Sequence, residues 1–197
     1  VWTPDGQRVV FTSTRDDGLE NLYWRSADGT GQVERLAESP NKQTPYAFSP
    51  EGKQLVFTEE DPANDRDLYI LSMEGDLVAE PLLQTPFQES NPAISPDGQY
   101  LAYQTDESGQ NQIYVRPFPN VEDGKWQISS DGGTGPVWGP SGQELFYRNQ
   151  DAMMVGQLPA LPILLLHEAI TVSIILAVRV RIVLRWQSNI PRVGRKH

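Results

Sequence analysis

Four short segments of one wording recur along this chain at a nearly fixed interval. They are Trp2-Thr3-Pro4-Asp5-Gly6, Phe48-Ser49-Pro50-Glu51-Gly52, Ile94-Ser95-Pro96-Asp97-Gly98 and Trp138-Gly139-Pro140-Ser141-Gly142. Successive glycines lie 46, 46 and 44 residues apart, and a large apolar residue stands four places before each. Self-similarity on this scale marks one supersecondary unit stacked on copies of itself. Each segment has the chemistry of a tight turn. Pro presets φ near −65°, an acid or Ser follows, and Gly takes the backbone angle that closes the reversal. Pro4, Asp5, Gly6, Pro50, Glu51, Gly52, Pro96, Asp97, Gly98, Pro140, Ser141 and Gly142 are therefore read as structural turn residues.

The residues around each turn complete the unit. After it come Arg8 to Thr12, Gln54 to Thr58, Tyr100 to Gln104 and Glu144 to Arg148, β-branched and aromatic and nearly continuously apolar. That pattern predicts a strand covered on both faces. A third strand is expected at Leu22-Tyr23-Trp24, Leu68-Tyr69-Ile70, Ile113-Tyr114-Val115 and Met153-Met154-Val155. A fourth is expected near Val33 to Leu36, Glu80 to Leu83 and Lys125 to Ile128. Four short antiparallel strands per repeat make one blade of a β-propeller. A sandwich also uses evenly spaced strands, but it does not require one four-strand unit to recur at fixed period. The fold class expected is all-β: a partial β-propeller of four-stranded antiparallel blades, about three and a half of them, followed by an anomalous C-terminal tail.

Composition agrees and removes several functions. Sixteen Gly and sixteen Pro in 197 residues suit turns and short strands better than helices. With no Cys, there is no disulfide, thiol nucleophile or Cys-based metal site. The net charge of −10 is unevenly spread. Residues 1–158 hold 25 acids and 10 bases, whereas residues 159–197 hold the single acid Glu168 and six bases. The acidic body should repel nucleic acid and anionic membrane.

The spacing and wording resemble the WD40-like repeat of the TolB-type propeller family, often called PD40 after its Pro-Asp turn, over about residues 1–158. The four turns and the pairs Leu22-Tyr23, Leu68-Tyr69 and Ile113-Tyr114 carry the likeness. Gly139 and Ser141 depart from it, standing where Ser/Thr and Asp are usual. A narrower likeness covers Asn91 to Arg148. It includes Asn91-Pro92-Ala93-Ile94, Ile113-Tyr114-Val115-Arg116-Pro117-Phe118-Pro119, Trp126-Gln127-Ile128-Ser129 and Asp131-Gly132-Gly133. This resembles the C-terminal propeller of bacterial membrane-spanning serine/threonine protein kinases. Related repeats occur in TolB and in the N-terminal propeller of prolyl-oligopeptidase-like enzymes. A closed ring uses four to eight blades, so the expectation is a fragment of a longer propeller; two self-assembled arcs are the alternative.

A search for chemistry predicts no catalytic residue, no cofactor and no metal. The kinase signatures and the Gly-x-Ser-x-Gly elbow of serine peptidases are both absent. His167 and His197, the only histidines, lie in the tail without an oriented Ser or Asp partner. Asp61, Asp65 and Asp67 could offer oxygens to a hard cation but lack the spacing and Gly of a calcium loop, so a solvated loop is expected. Asp16-Asp17-Gly18 reads as a turn. Asp131-Gly132-Gly133-Thr134-Gly135 is not placed between a strand and a helix, which favours a flexible blade connection over a phosphate cradle. Trp2, Phe48, Trp138, Tyr23, Tyr69 and Tyr114 recur at equivalent positions, which argues for packing between blades. Trp24 and Trp126 fall outside that register.

The tail, residues 159–197, is basic and apolar. Three readings stand open: a membrane helix with a basic flank, a strand-like or amphipathic segment packed on the propeller, or disordered sequence foreign to the propeller, as after a frameshift. The resemblance implies a non-catalytic module that binds a protein or small ligand at a propeller mouth. The setting would be a sensor attached to a membrane kinase or a TolB-like scaffold, on the periplasmic or extracytoplasmic face of a bacterial membrane. Membrane contact would come only through the tail or a further segment. The alternative is a propeller that gates a prolyl-oligopeptidase-like peptidase.

Overall fold

The structure is a computed structural model that describes residues 1–62, 65–157 and 180–185. His167, His197, Glu168 and the rest of the tail outside 180–185 lie beyond the described residues. The described chain is all-β. Its strands are β1 (Arg8–Ser13), β2 (Asn21–Ser26), β3 (Glu34–Arg35), β4 (Lys42–Phe48), β5 (Gln54–Asp61), β6 (Asp65–Ser72), β7 (Ala79–Leu83) and β8 (Glu89–Ile94). Then come β9 (Tyr100–Thr105), β10 (Gln112–Pro117), β11 (Trp126–Gln127), β12 (Thr134–Trp138), β13 (Glu144–Asn149), β14 (Ala152–Gln157) and β15 (Val180–Arg185). One 3₁₀ turn, Val121–Asp123, joins β10 to β11.

The strands form four antiparallel sheets in chain order: β1–β3, β4–β7, β8–β11 and β12–β15. Each sheet is one blade. The first also carries an antiparallel bridge from Trp2 to Val9, at the place the innermost strand takes in the other blades. Strand β15 pairs with β14 and supplies the fourth strand of the last blade from within the tail.

Blades pack face to face, which explains the unbroken apolar wording of the second strands. Val10, Leu22 and Leu36 of the first blade meet Leu55, Phe57 and Leu71 of the second. Val56, Leu68 and Leu83 of the second meet Leu101, Tyr103 and Tyr114 of the third. Ala102, Ile113 and Ile128 of the third meet Leu145 and Tyr147 of the fourth. Neighbours within one strand, such as Leu55 and Val56, thus serve opposite seams, and both are fully buried. A Leu buried this way contributes roughly 1.5–3 kcal/mol.

The four turns share one backbone hydrogen bond and one backbone conformation at Gly. Gly6, Gly52, Gly98 and Gly142 each donate N–H to the carbonyl three residues back at 2.9 Å. Each has φ between +68° and +75°, a region that favours Gly. The residue before Pro has a role beyond the turn itself. The hydroxyls of Thr3, Ser49 and Ser95 accept N–H from Arg8, Gln54 and Tyr100 at 2.9–3.1 Å. Gly139 has no hydroxyl to do this. Ser141 does replace Asp in kind, since its Oγ accepts Gln143 N–H as Asp5 and Asp97 accept the N–H of Gln7 and Gln99.

Candidate binding surface

The innermost strands β4, β8 and β12 each carry a register shift, between Pro45 and Ala47, Ser90 and Ala93, and Thr134 and Val137. Each shift contains or touches a proline: Pro45, Pro92 or Pro136. Proline has no N–H for a ladder and is confined in sheets to edges and bulges. The innermost strand of a blade has such an edge, toward the ring axis. The three bulges together line a groove of about 520 Å³ that includes Tyr46, Asn91, Pro92, Pro136, Val137 and Trp138. Val137 is 61% exposed there.

The groove is held by bonds that cross blades. Trp138 Nε1 donates to Ala93 O at 2.9 Å. Gln104 Oε1 accepts Gly135 N across the same seam at 3.3 Å and Asn91 Nδ2 within its own blade at 2.9 Å. Asn91 adopts φ +51°, which Asn tolerates better than most residues. The arrangement offers apolar surface, proline rings and strand edges to an extended or apolar guest. Among the described residues that line it there is no Ser, Thr, His, Lys, Asp or Glu. The sequence signal that points to it is a proline six or seven places before Gly52, Gly98 and Gly142, which turn chemistry alone does not explain.

The repeated turns lie elsewhere and stack on one another. A Cβ on Gly52 would sit 3.6 Å from Pro4 Cδ, one on Gly98 3.1 Å from Pro50 Cδ, and one on Gly142 3.7 Å from Pro96 Cδ. The turn of each blade therefore rests on the Pro of the blade before, and the four form a rail.

The acidic segment 61–67 differs from the solvated loop expected. Glu59, Glu60 and Asp61 pair along β5 with Asp67, Arg66 and Asp65 of β6. Asp67 Oδ1 is buried with no donor, and so is Oε2 of Glu89 on the next blade. Each carboxyl acts on the other across the seam between the two blades. Burial is the main reason that the carboxyl of Glu89 is pushed up to about 7 and that of Asp67 is raised. Among the described residues, no group of three or more His, Cys, Asp or Glu could hold a metal.

The Gly-rich segment is also not the loose link expected. Gly133 N donates to Asn111 O at 2.8 Å, Gly132 N to Gln112 Oε1 at 3.1 Å, and Asn149 Nδ2 to Asp131 O at 2.7 Å. Gly133 lacks a Cβ because one would lie 2.7 Å from Ser129 Oγ. Asp16 and Asp17 do lie in a turn, and both pair with Arg35.

The aromatics divide. Tyr23, Tyr114, Phe48 and Tyr69 are buried or pack against seam clusters, as repeated position implies. Trp2 is 60% exposed. Its counterpart Trp138 bonds the preceding blade, and no described blade lies on the corresponding side of Trp2. Trp24 donates to Glu34 and lies under the Arg8 guanidinium, 3.8 Å from the ring centroid. Trp126 packs edge-on against Tyr100.

Comparison with known proteins gives one family. The family described as PD40, TolB beta propeller domain, matches residues 29–158. No curated protein matches the sequence. A TolB-type protein of Agrobacterium tumefaciens has a similar solved structure, with a TM-score of 0.66 and 20% identity. The match covers 79% of this chain and 58% of that one. TolB of Acinetobacter baumannii aligns with a TM-score of 0.62 and 20% identity over 79% of this chain and 38% of its own. A prolyl endopeptidase aligns with a TM-score of 0.56 and 16% identity over 79% of this chain and 25% of its own. The chain thus spans less than two thirds of each of these proteins.

Proposed function

This chain belongs to the TolB β-propeller family, and from that premise we propose that it captures a protein segment or small ligand in the axial groove without catalysing a reaction. The observation that supports this most is the open apolar groove made by three successive bulged strands, β4, β8 and β12. Bulges commonly re-aim side chains next to functional sites. A site that lacks a nucleophile and base has binding, not turnover, as its chemistry.

In the whole protein, the blades would belong to a larger ring facing the periplasm or the extracytoplasmic side of a bacterial membrane. That ring would serve as the sensor domain of a membrane serine/threonine kinase or as a TolB-like scaffold. The likeness between Asn91 and Arg148 favours the kinase setting. A second reading, a propeller that gates a peptidase, draws on the fold shared with a prolyl endopeptidase. Neighbouring coding sequence separates them. An upstream kinase domain and membrane helix support the first, and a downstream α/β-hydrolase domain replaces it with the second.

The groove itself is tested by selecting a random peptide library on the folded chain. Recovered binders are then measured against Val137→Asp and against Val78→Asp, a surface position 48% exposed on the second blade. Binding that falls tenfold or more for Val137→Asp and holds for Val78→Asp is the expected result. Equal sensitivity to both, or to neither, refutes the groove as the site.

A further inference from the structure

We propose that Asp67 and Glu89 form a proton-operated latch between the second and third blades, closed while one proton is held between their carboxyls and loosened when it leaves. The latch stands whether or not the groove binds a ligand. It emerges from comparing the three seams at matching positions. Asn21, Asp67 and Gln112 each lie on a third strand, directly before Leu22, Leu68 and Ile113. Gln43, Glu89 and Gly133 each stand nine residues before a turn Gly.

At the first seam both positions hold amides. Gln43 Oε1 accepts Leu22 N at 3.3 Å while its Nε2 donates to Glu59 at 3.0 Å. Asn21 Oδ1 accepts Ser39 N at 2.8 Å. At the third seam Gly133 brings no side chain, and Gln112 Oε1 accepts Ser129 Oγ at 2.6 Å and Gly132 N at 3.1 Å. Neither of those seams sets two carboxyls against each other, although Asn21 Nδ2 at the first is itself buried without an acceptor. Only the middle seam places a carboxyl on each side.

The donors around that pair are too few. Thr85 Oγ1 donates to Glu89 Oε1, Gln84 Nε2 reaches Asp67 Oδ2 at 3.3 Å, and the Thr85 backbone N–H is shared by the two carboxyls. Asp67 Oδ1 and Glu89 Oε2 stay buried without a donor, and Glu89 is only 1% exposed. Two ionised carboxylates can only accept. One shared proton turns the contact into a donor–acceptor pair, whereas two negative charges there repel.

The charged and titratable neighbours do not relieve this. From the second blade, Asp61 adds negative charge and Tyr69 OH takes a bond from Gln84. From the third blade, Tyr103 feels Glu89, and its hydroxyl accepts Arg116 Nε at 3.0 Å, with Glu107 nearby. Among the described residues no Lys or Arg forms an ion pair with Asp67 or Glu89. Glu89 also begins β8, whose bulge at Asn91 lines the groove, so the latch sets the position of one groove wall.

The sign follows from linkage. The folded chain holds the Glu89 proton more tightly than the unfolded chain, with a pKa of about 7 against 4.5. The latch's contribution is complete below pH 4.5, fades as pH rises toward 7, and is gone above it.

The test is urea unfolding of the full chain from pH 4.5 to 8, for wild type, Glu89→Gln and Asp67→Asn. Gln at 89 reproduces what Gln43 brings to the first seam. The folding constant of wild type relative to Glu89→Gln should fall on the order of 100-fold across that range, and relative to Asp67→Asn by less, because burial, the largest cause of the Glu89 shift, persists there. A flat difference curve for both variants overturns the latch. Carbon-13 titration of the Glu89 carboxyl in wild type needs no variant. Titration near 7 that moves down in Asp67→Asn supports the latch, and titration near 4.5, or a value that Asp67→Asn leaves unchanged, overturns it. Calcium added to wild type should leave stability unchanged. Stabilisation that Glu89→Gln abolishes would assign the pair a cation and overturn the proton reading.

Discussion

The stacked rail of turns predicts an uneven response to one small change, Gly→Ala, at four equivalent places. Gly6 has φ +68° and nothing within 4 Å of the place a methyl group would take, so Ala there meets only the backbone penalty. That penalty is roughly 1–2 kcal/mol for a left-handed non-Gly residue. Gly98 has nearly the same φ, +72°, but its Cβ would lie 3.1 Å from Pro50 Cδ and 3.4 Å from Cγ. Those atoms belong to a stiff ring fixed in the preceding turn, so the strain adds about 1 kcal/mol from overpacking. Gly52 and Gly142 face Pro at 3.6 and 3.7 Å, which is ordinary contact, and should resemble Gly6. Urea midpoints at constant slope give the four differences. The expected order puts Gly98→Ala lowest, by about 1 kcal/mol below Gly142→Ala. The Gly142 variant is the better reference because the chain start can open locally without reporting on global stability. Equal costs at Gly98 and Gly142 refute the claim that the turns bear on one another across blades.

Two further outcomes follow from close contacts elsewhere. Gly133→Ala should lower stability by about 1–3 kcal/mol in the same urea assay, because its Cβ meets Ser129 Oγ at 2.7 Å and Ile113 Cγ1 at 2.8 Å inside the third seam; an unchanged midpoint would mean the seam is loose. The Asp28 carboxyl is held down at about 2, chiefly by the Thr30 side chain and then by the Thr30 N–H and Ser26. Thr30→Val should raise it toward the usual carboxylate range in an NMR titration, and a carboxyl still near 2 would contradict that ranking of causes.

The turns were legible in the sequence because their chemistry is local. The hydrogen bonds of Gly6 to Thr3 and Arg8 to Thr3 close within five residues, so the wording must recur wherever the turn does. The blade strands were legible for a related reason: a strand covered on both faces reads as a continuous apolar run. The seams were not. Asp67 and Glu89 are 22 residues apart in the chain and meet only because one blade is laid on the next. Asp67 read alone therefore looked like part of a solvated loop. Gly132 and Gly133 looked flexible for the same reason, since Gln112 and Asn149, which pin that segment, lie on separate strands. Trp2 and Trp138 share a repeat position yet differ in burial, because burial depends on the neighbouring blade and not on the turn.

Repeat position and function separate along the same line. A residue that recurs in every copy serves a contact that every blade needs, as the turn Gly does. A difference between copies at one position breaks that equivalence and must be accounted for by its own surroundings. Ser141 is accounted for, because it does what Asp5 and Asp97 do. Glu89 is not, because Gln43 at the same place makes its bonds while remaining neutral, and a buried carboxylate cannot. Replacing the amide by an acid costs stability at neutral pH unless a proton comes with it. The middle seam is thus where this propeller departs from its own pattern, and the departure adjoins the strand that shapes the groove.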